Sequence, residues 1–432
     1  MGSVKQGNGI IVIKHKSILI VALFALSLVN GATLIISSTF VTLWLCFKYK
    51  DKGAIEAFLF LQFRSLLSSG VGVQYSGAAA LVKWILVFFL SFYLLHRPTK
   101  NECKNIINRI ILNFSVFSTL ITLFAWINSS YPLVATFKIV SYVIPFLAIV
   151  KGICNTYYVD WRKEFIFPLG IILFGGLVFV KSEIGYLRNG YSFQGAINHP
   201  NIFGIMLAVF LGCLLYKKTK LKIIDLFLIV GIFYMMYLSG SRTSLMTGVI
   251  IVVLFVLSKE INKTLRIILI ALMVLIIVLI VLSESGTLTN SIIDIVYKGH
   301  EGNLFYSRSR QIAKNINRFL EHPLIGTGLN VPYDSSIKSM EFSFGLVTEN
   351  GNLILAILGD LGIVGSILFV IVYRVLFCYG SNGLDIAFFI PFLVCMGEMS
   401  FFSTNNFGII LYAILALYLS EGIKRRIWGK HI

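Results

Sequence analysis

Residues 77–95 read GAAALVKWILVFFLSFYLL, a run in which Lys83 is the single charge. As an α-helix such a run is roughly 28 Å long, about the thickness of a bilayer's hydrocarbon core. The connection before it, Ser68–Gly77, has no Lys or Arg, whereas Arg97 and Lys100 follow at once. An apolar span with basic residues on one flank is a transmembrane helix whose C-terminal end faces the cytoplasm.

Outward from this stretch the pattern recurs. Candidate spans are 10–29, 31–47, 54–67, 77–95, 106–127, 132–150, 165–181, 200–216, 222–238, 242–258, 265–282, 352–377, 384–403 and 406–421. The run 54–67 is short and carries Glu56 and Arg64, which suits a helix lying in the interface or re-entering. The expected fold is therefore an all-α polytopic integral membrane protein of about 14 transmembrane helices, in the range 12–14, with residues 1–432 as a single membrane domain.

Composition agrees. The 432 residues are 57% hydrophobic and 13% charged, against roughly 45–50% and about 25% in soluble chains. The net charge of +18, from 37 Lys+Arg against 19 Asp+Glu, would suggest a nucleic-acid partner in a soluble protein. Here 25 of the 37 basic residues fall on alternate connections, among them Lys48, Lys50, Arg97, Lys100, Lys151, Arg162, Lys163 and Lys424–Arg426. They read as a topology signal facing anionic lipid, with both termini cytoplasmic, and no nucleic acid is called for. The first span has no small-residue cleavage site that would make it a removable signal. The six cysteines show neither CxxC nor zinc-ligand spacing, so neither a metal site nor a disulfide framework is indicated.

One connection differs. Residues 283–351 form a large extracytoplasmic loop carrying Lys298, Arg308, Arg310, Lys314, Arg318 and Lys338, and the positive-inside rule does not bind loops of that length. Within it, Ile312, Ala313, Ile316, Phe319 and Leu320 have helical spacing over Ser309–Glu321. An amphipathic helix on the outer surface is expected there, a lid or lipid-facing wedge. Pro323-Leu-Ile-Gly-Thr-Gly-Leu-Asn330 then reads as a turn.

Polar residues crowd the outer helix ends. Ser239-Gly-Ser-Arg-Thr243 joins two spans and puts Arg242 at the membrane face, where a guanidinium can clamp phosphate oxygens or snorkel to lipid. Asn198-His-Pro-Asn201 is a helix start with Pro200 in its first turn, Asn198 as the cap, and His199 lacking a second ligand at metal spacing. Arg188 precedes it, and Glu349 stands just before the span that begins near Asn352, where a carboxylate also suits the helix dipole. Lys83, Lys138, Asp360 and Glu398 are ionisable residues within spans, which opens an ion-path or transport reading. No Walker A, DxD-type pair, HExxH or GxSxG pattern is present.

In their order these outer motifs resemble the O-antigen ligase and polymerase superfamily of bacterial envelope glycan assembly. The resemblance covers residues 185–370 and rests on four pieces: Pro200-Asn201; Ser239–Thr243; an Arg followed by an amphipathic stretch ending Pro-Leu-Ile-Gly-Thr-Gly (308–328); and Glu-Asn-Gly-Asn-Leu with Leu-Gly-Asp-Leu-Gly-Ile-Val-Gly (349–365). It implies a GT-C-like glycosyltransferase in the bacterial cytoplasmic membrane, using undecaprenyl-pyrophosphate-linked glycan on the outer face with no metal or nucleotide cofactor. In ligases of the family a His stands before the Asn that opens the post-loop helix. Glu349 takes that place here, as in Wzy-type O-antigen or capsular polysaccharide polymerases. Arg188 lies a few residues earlier than the Arg that commonly precedes the Pro-Asn start. Ile312 stands where the family often has Trp, so Arg308 and Arg310 are alternative registers.

The resemblance thus implies a polymerase in which Glu349 is the base and Arg242 and Arg308 offset the charge on the leaving pyrophosphate. Arg188, Arg310, Asn201, His199 and Asn350 are the expected substrate-binding residues. Partners would be the lipid-linked oligosaccharide, membrane lipids, a flippase and a chain-length regulator. Three alternatives stand beside it: ligase-type transfer to another acceptor, a lipid-linked oligosaccharide flippase, and a non-catalytic membrane partner.

Overall fold

The computed structural model describes residues 15–216, 218, 221–257, 264, 267, 309–331, 351–380, 385–405 and 407–428. Its elements are α1 (His15–Leu26), α2 (Gly31–Leu66), α3 (Gly77–His96), α4 (Asn101–Asn128), α5 (Pro132–Asn155), α6 (Trp161–Gly175), α7 (Pro200–Leu215), α8 (Ile223–Leu238), α9 (Arg242–Leu257), α10 (Ser309–Glu321), α11 (Leu353–Tyr379), α12 (Ile386–Cys395) and α13 (Gly408–Trp428), with short 3₁₀ turns at 176–179 and 183–186. Among the described residues no strand occurs, and the one isolated bridge is antiparallel, Leu67 to Ile197. Among the described residues five helices, α2, α3, α4, α5 and α11, are long and apolar enough to cross a membrane, and α1, α7, α8, α9 and α12 are shorter apolar helices. Large side chains such as Phe47, Phe92, Phe167, Phe227 and Val370 face outward. An apolar perimeter of this kind is stable against lipid and not against water. The protein is a helical membrane protein.

The helices begin where their sequences supply caps. Asn30 and Thr33 bond reciprocally at the start of α2, Asp160 accepts from the Lys163 amide at α6, and Asp385 accepts from the Ala387 amide at α12. Each satisfies amides that the first helical turn leaves without a partner. The centre of the bundle is aromatic. Tyr142 of α5 and Tyr373 of α11 join hydroxyls, and Phe146, Phe369, Phe401 and Tyr412 pack edge-on and tilted around them. α5 lies against α3, α4 and α13, so nearly all of its C-terminal half is buried.

Two spans differ from the sequence reading. Residues 31–47 and 54–67 are the arms of one helix, α2, broken at Lys50 (φ 51°). The second arm packs inside the bundle: Ala54, Ile55, Ala57, Phe58 and Leu61 are buried. Glu56 is paired with Lys16 and with Lys52 at 3.6 Å, whereas Arg64 donates to the Ser27 and Val73 carbonyls and has no counter-charge among the described residues. The span 384–403 also stops early. α12 ends at Cys395, and the chain then runs without regular structure through 405 while burying Ser400, Phe401, Phe402 and Thr404. Irregular backbone at such a depth is tolerated where protein surrounds it. The predicted span 265–282 lies almost wholly outside the described residues, as does most of the loop 283–351.

Candidate active site

The irregular segment after α12 is where the polar motifs meet. Three helices begin around residues 396–398. At the start of α7, Asn201 donates its side-chain amide to Glu398 Oε1 at 2.8 Å. At the start of α11, Asn352 donates from Nδ2 to the Met396 carbonyl at 3.0 Å, while its Oδ1 accepts from the Ile354 and Leu355 amides. At the start of α9, the Thr243 side chain sits directly over Gly397, so closely that a Cβ there would overlap it. One turn therefore touches the N-terminal ends of three helices. Helix N-termini carry unpaired amide donors and the positive end of the peptide dipole, so this convergence suits an anion.

Arg242 belongs to the cluster by chain connectivity. α8 ends at Leu238, and the backbone reverses through Gly240 (φ 61°). α9 then starts at Arg242, which is half-buried. A left-handed residue is needed for so short a reversal, and glycine takes it without strain. The turn is pinned by the Ser244 hydroxyl donating to the Ser241 carbonyl at 2.7 Å, and it packs on Gly204 of α7.

His199 differs from its expected part. Its Nδ1 accepts the Asn201 amide at 3.1 Å, so His199, and not Asn198, caps α7. Pro200 occupies the first helical position, which moves the cap to the residue just before it. The Asn198 amide instead donates to the Leu66 carbonyl at 2.8 Å, tying the α7 start to the end of α2. Arg188 has an exposed side chain; its amide donates to Gln194 Oε1 at 2.9 Å, in a loop that also packs Ser192 near Gly240. Arg310 is exposed in the first turn of α10. Arg308, Glu349 and Asn350 lie outside the described residues. Gly351 and Asn352 follow the last two directly, and so bring the chain out of the loop beside residues 396–398.

Two further motifs turn out to be partners of each other. α11 breaks at Gly362 (φ 64°), two residues after Asp360, and Pro323–Asn330 docks into the break. Ile363 and Val364 donate their amides to the Pro323 and Leu324 carbonyls at 2.8 and 2.9 Å, and Gly328 donates to the Asp360 carbonyl at 2.9 Å. The strands of chain lie so close that a Cβ at Gly362 would be 2.5 Å from the Leu324 carbonyl carbon. The lock is ionic: Arg318 of α10 reaches Asp360 at 2.6 Å, and both are almost fully buried. Arg318 also donates to Thr327 Oγ1 from Nε at 2.9 Å and to the Gly328 carbonyl at 3.2 Å, while Asp360 accepts the Asn330 amide at 2.8 Å.

This docking fixes which face of the amphipathic helix is covered. α10 buries Asn315 and Arg318 against α11 and leaves Ile316 and Leu320 exposed. The ion pair and the backbone pairing hold the polar face inward, which leaves these apolar side chains on the outer face of the helix. Sequence reasoning placed Asp360 on a possible ion path; it is the partner of Arg318. Glu398 was read in the same way; it accepts from Asn201 at the start of α7. Hydropathy alone did not bring it to that helix start, because the irregular segment that carries it reads as helix.

Residues 226–370 match the family described as O-antigen ligase. The matched stretch includes the Ser239–Thr243 turn, α10 and the docked break of α11, while the α7 start and the 396–398 turn lie outside it. No curated protein gives a match.

Proposed function

We propose, with the O-antigen ligase match of residues 226–370 as premise, that this membrane protein is a polysaccharide polymerase. Growing glycan on undecaprenyl pyrophosphate is transferred to a hydroxyl at the non-reducing end of a new lipid-linked repeat unit. The work is done at the outer face of the cytoplasmic membrane, with a flippase supplying substrate and a chain-length regulator acting on the product. The observation that carries this reading is the convergence of three helix N-termini on one turn within an apolar bundle, with Arg242 next to Thr243 at one of them.

The acceptor hydroxyl gives its proton to the Glu349 carboxylate as its oxygen bonds to the donor's anomeric carbon. The bond from that carbon to the pyrophosphate oxygen breaks, and undecaprenyl pyrophosphate leaves with the electron pair. A base within hydrogen-bond reach and fixed cations at the leaving group are what the step needs. Arg242 and Arg308 offset the developing charge, with Arg188 and Arg310 at the rim. His199, Asn201 and Asn350 contact the glycan or its pyrophosphate, and Glu398 holds Asn201.

A second reading, transfer to a different acceptor, is favoured by the description of the matched family as ligase. The carboxylate at Glu349, in the place where ligases carry a His, weighs toward polymerisation. Lipid-linked glycans from cells lacking the protein decide between them on a gel. Single capped repeat units mark lost polymerisation, and long unattached chains mark lost ligation.

A further inference from the structure

Arg64 and Lys83 are two buried cations in an apolar bundle, and neither makes an ion pair with any described residue. Arg64, near the end of α2, donates to the Ser27 hydroxyl and carbonyl, each at 3.0 Å, and to the Val73 carbonyl. Its remaining nitrogen, Nη1, is buried with no hydrogen-bond partner. Lys83, in the second turn of α3, donates to the Asn405 carbonyl at 3.3 Å. Both approach one ring: Arg64 Cζ is 5.8 Å and Lys83 Nζ 5.5 Å from the Tyr75 centroid. The Tyr75 hydroxyl is within 2.8 Å of Ser38 Oγ, and Tyr75 itself is half-buried. Charges taken out of water are ordinarily paired, because each isolated one costs several kcal/mol. An anion bound between them removes both penalties.

The pair is linked to the candidate active site through neighbouring chain segments. Leu66 and Leu67 pair with Asn198 and Ile197, immediately before α7, and Asn405 belongs to the irregular segment that begins at Met396. A polymerase must hold two lipid-linked pyrophosphates at once, the donor's beside the base and the acceptor's a repeat unit away. We propose that Arg64, Lys83 and the Tyr75 ring form a second anion site, which takes the pyrophosphate of the acceptor lipid. The identity of the ligand rests on the polymerase reading; the site itself rests on the two unpaired cations.

The test is binding stoichiometry of farnesyl pyrophosphate to the full-length protein in phosphatidylcholine nanodiscs, read by native mass spectrometry. Two equivalents are expected. Lys83→Met should weaken one of them by roughly tenfold to a hundredfold, the worth of a charge-assisted hydrogen bond, and Arg242→Met should weaken the other. Lys83 is the residue to change because Arg64 also holds α1 through Ser27 and its loss endangers folding. Two unweakened equivalents in Lys83→Met would overturn the site. So would loss of the second equivalent when phosphatidylglycerol replaces phosphatidylcholine, since the occupant would then be a phospholipid headgroup. The stoichiometry is measured without turnover, so it stands even if the protein makes no polymer. Conversely, normal chain growth by Lys83→Met would remove the acceptor site and leave the polymerase intact.

Discussion

Arg242 stands at a helix start, and its chemistry turns on shape as well as charge. A guanidinium presents a planar fork that can hold two phosphate oxygens, whereas an ammonium is a point charge on a flexible stem. Arg242→Lys should therefore retain the fold and the protein level while reducing polymer formation by roughly tenfold to a thousandfold, in the range seen when one electrostatic donor is lost. Polymer of normal length on a glycan gel would remove Arg242 from the reaction. The carboxylates are separable at the same scale. Glu349→Gln cannot accept a proton and should abolish chain growth. Glu398→Gln keeps an oxygen that can accept from Asn201, now at 2.8 Å from Glu398, and should remain active, with Glu398→Ala the weaker of the two. The reverse pattern, an inactive Glu398→Gln beside an active Glu349→Gln, would make Glu398 the base.

The element on which most depends is α10, docked through its polar face. Asp360→Asn leaves the Arg318 guanidinium buried without its counter-charge, a loss of about 3–5 kcal/mol for pairs of this kind. Replacing both partners, Arg318→Met with Asp360→Leu, removes the uncompensated charge and should recover most of it. Thermal unfolding in detergent checks the pair as a double-mutant cycle, and an Asp360→Asn protein as stable as wild type would show that the ion pair does not hold the docking. On the other face, Ile316→Glu and Leu320→Glu should leave unfolding unchanged, since both side chains are exposed. They should nonetheless raise hydrogen exchange of α10 in lipid nanodiscs by weakening its contact with acyl chains. How legible α10 was from sequence follows from what periodicity measures. The spacing of Ile312, Ile316 and Leu320 identified the helix and its apolar stripe, but no local signal says which stripe is buried. That was decided by Asp360, some forty residues further along the chain, and by backbone pairing at the Gly362 break. For the same reason the spans were found where hydropathy is continuous. The kink at Lys50, the early end of α12 and the partners of Arg64 and Glu398 were not, because each is fixed by tertiary contact between distant segments. The order of the Pro-Asn, Ser-Gly-Ser-Arg-Thr and Asn-Gly-Asn motifs was visible, and their meeting at residues 396–398 was not.

Across the whole molecule the polar residues separate to two ends of the bundle. At one end Asp51 receives Arg97 and Asn155, each at 3.0 Å, and Lys52 meets Glu164 at 3.0 Å, so the break of α2, the end of α3, the end of α5 and the start of α6 share a charged layer. The second arm of α2 runs from that layer to Arg64 and Leu66, where the chain reaches the α7 start and the candidate active site. Basic residues dominate the first end, including Lys100, Lys151, Arg162 and Lys163, and on the positive-inside rule that end is expected to face the cytoplasm. The proposed active site would then open on the far side, where a lipid-linked glycan would be presented after translocation. Thiol labelling in a Cys378→Ser background tests this, because Cys378 is the exposed native cysteine among the six and the others are buried. Ser76→Cys lies on the exposed turn before α3 and Glu102→Cys on the exposed first turn of α4. A membrane-impermeant maleimide should label Ser76→Cys in cells with a permeabilised outer envelope, and Glu102→Cys only after the cytoplasmic membrane is broken. Labelling in the opposite order would put Arg242 and the three helix starts on the cytoplasmic face, where the chemistry would have to draw on a substrate that has not yet crossed the membrane.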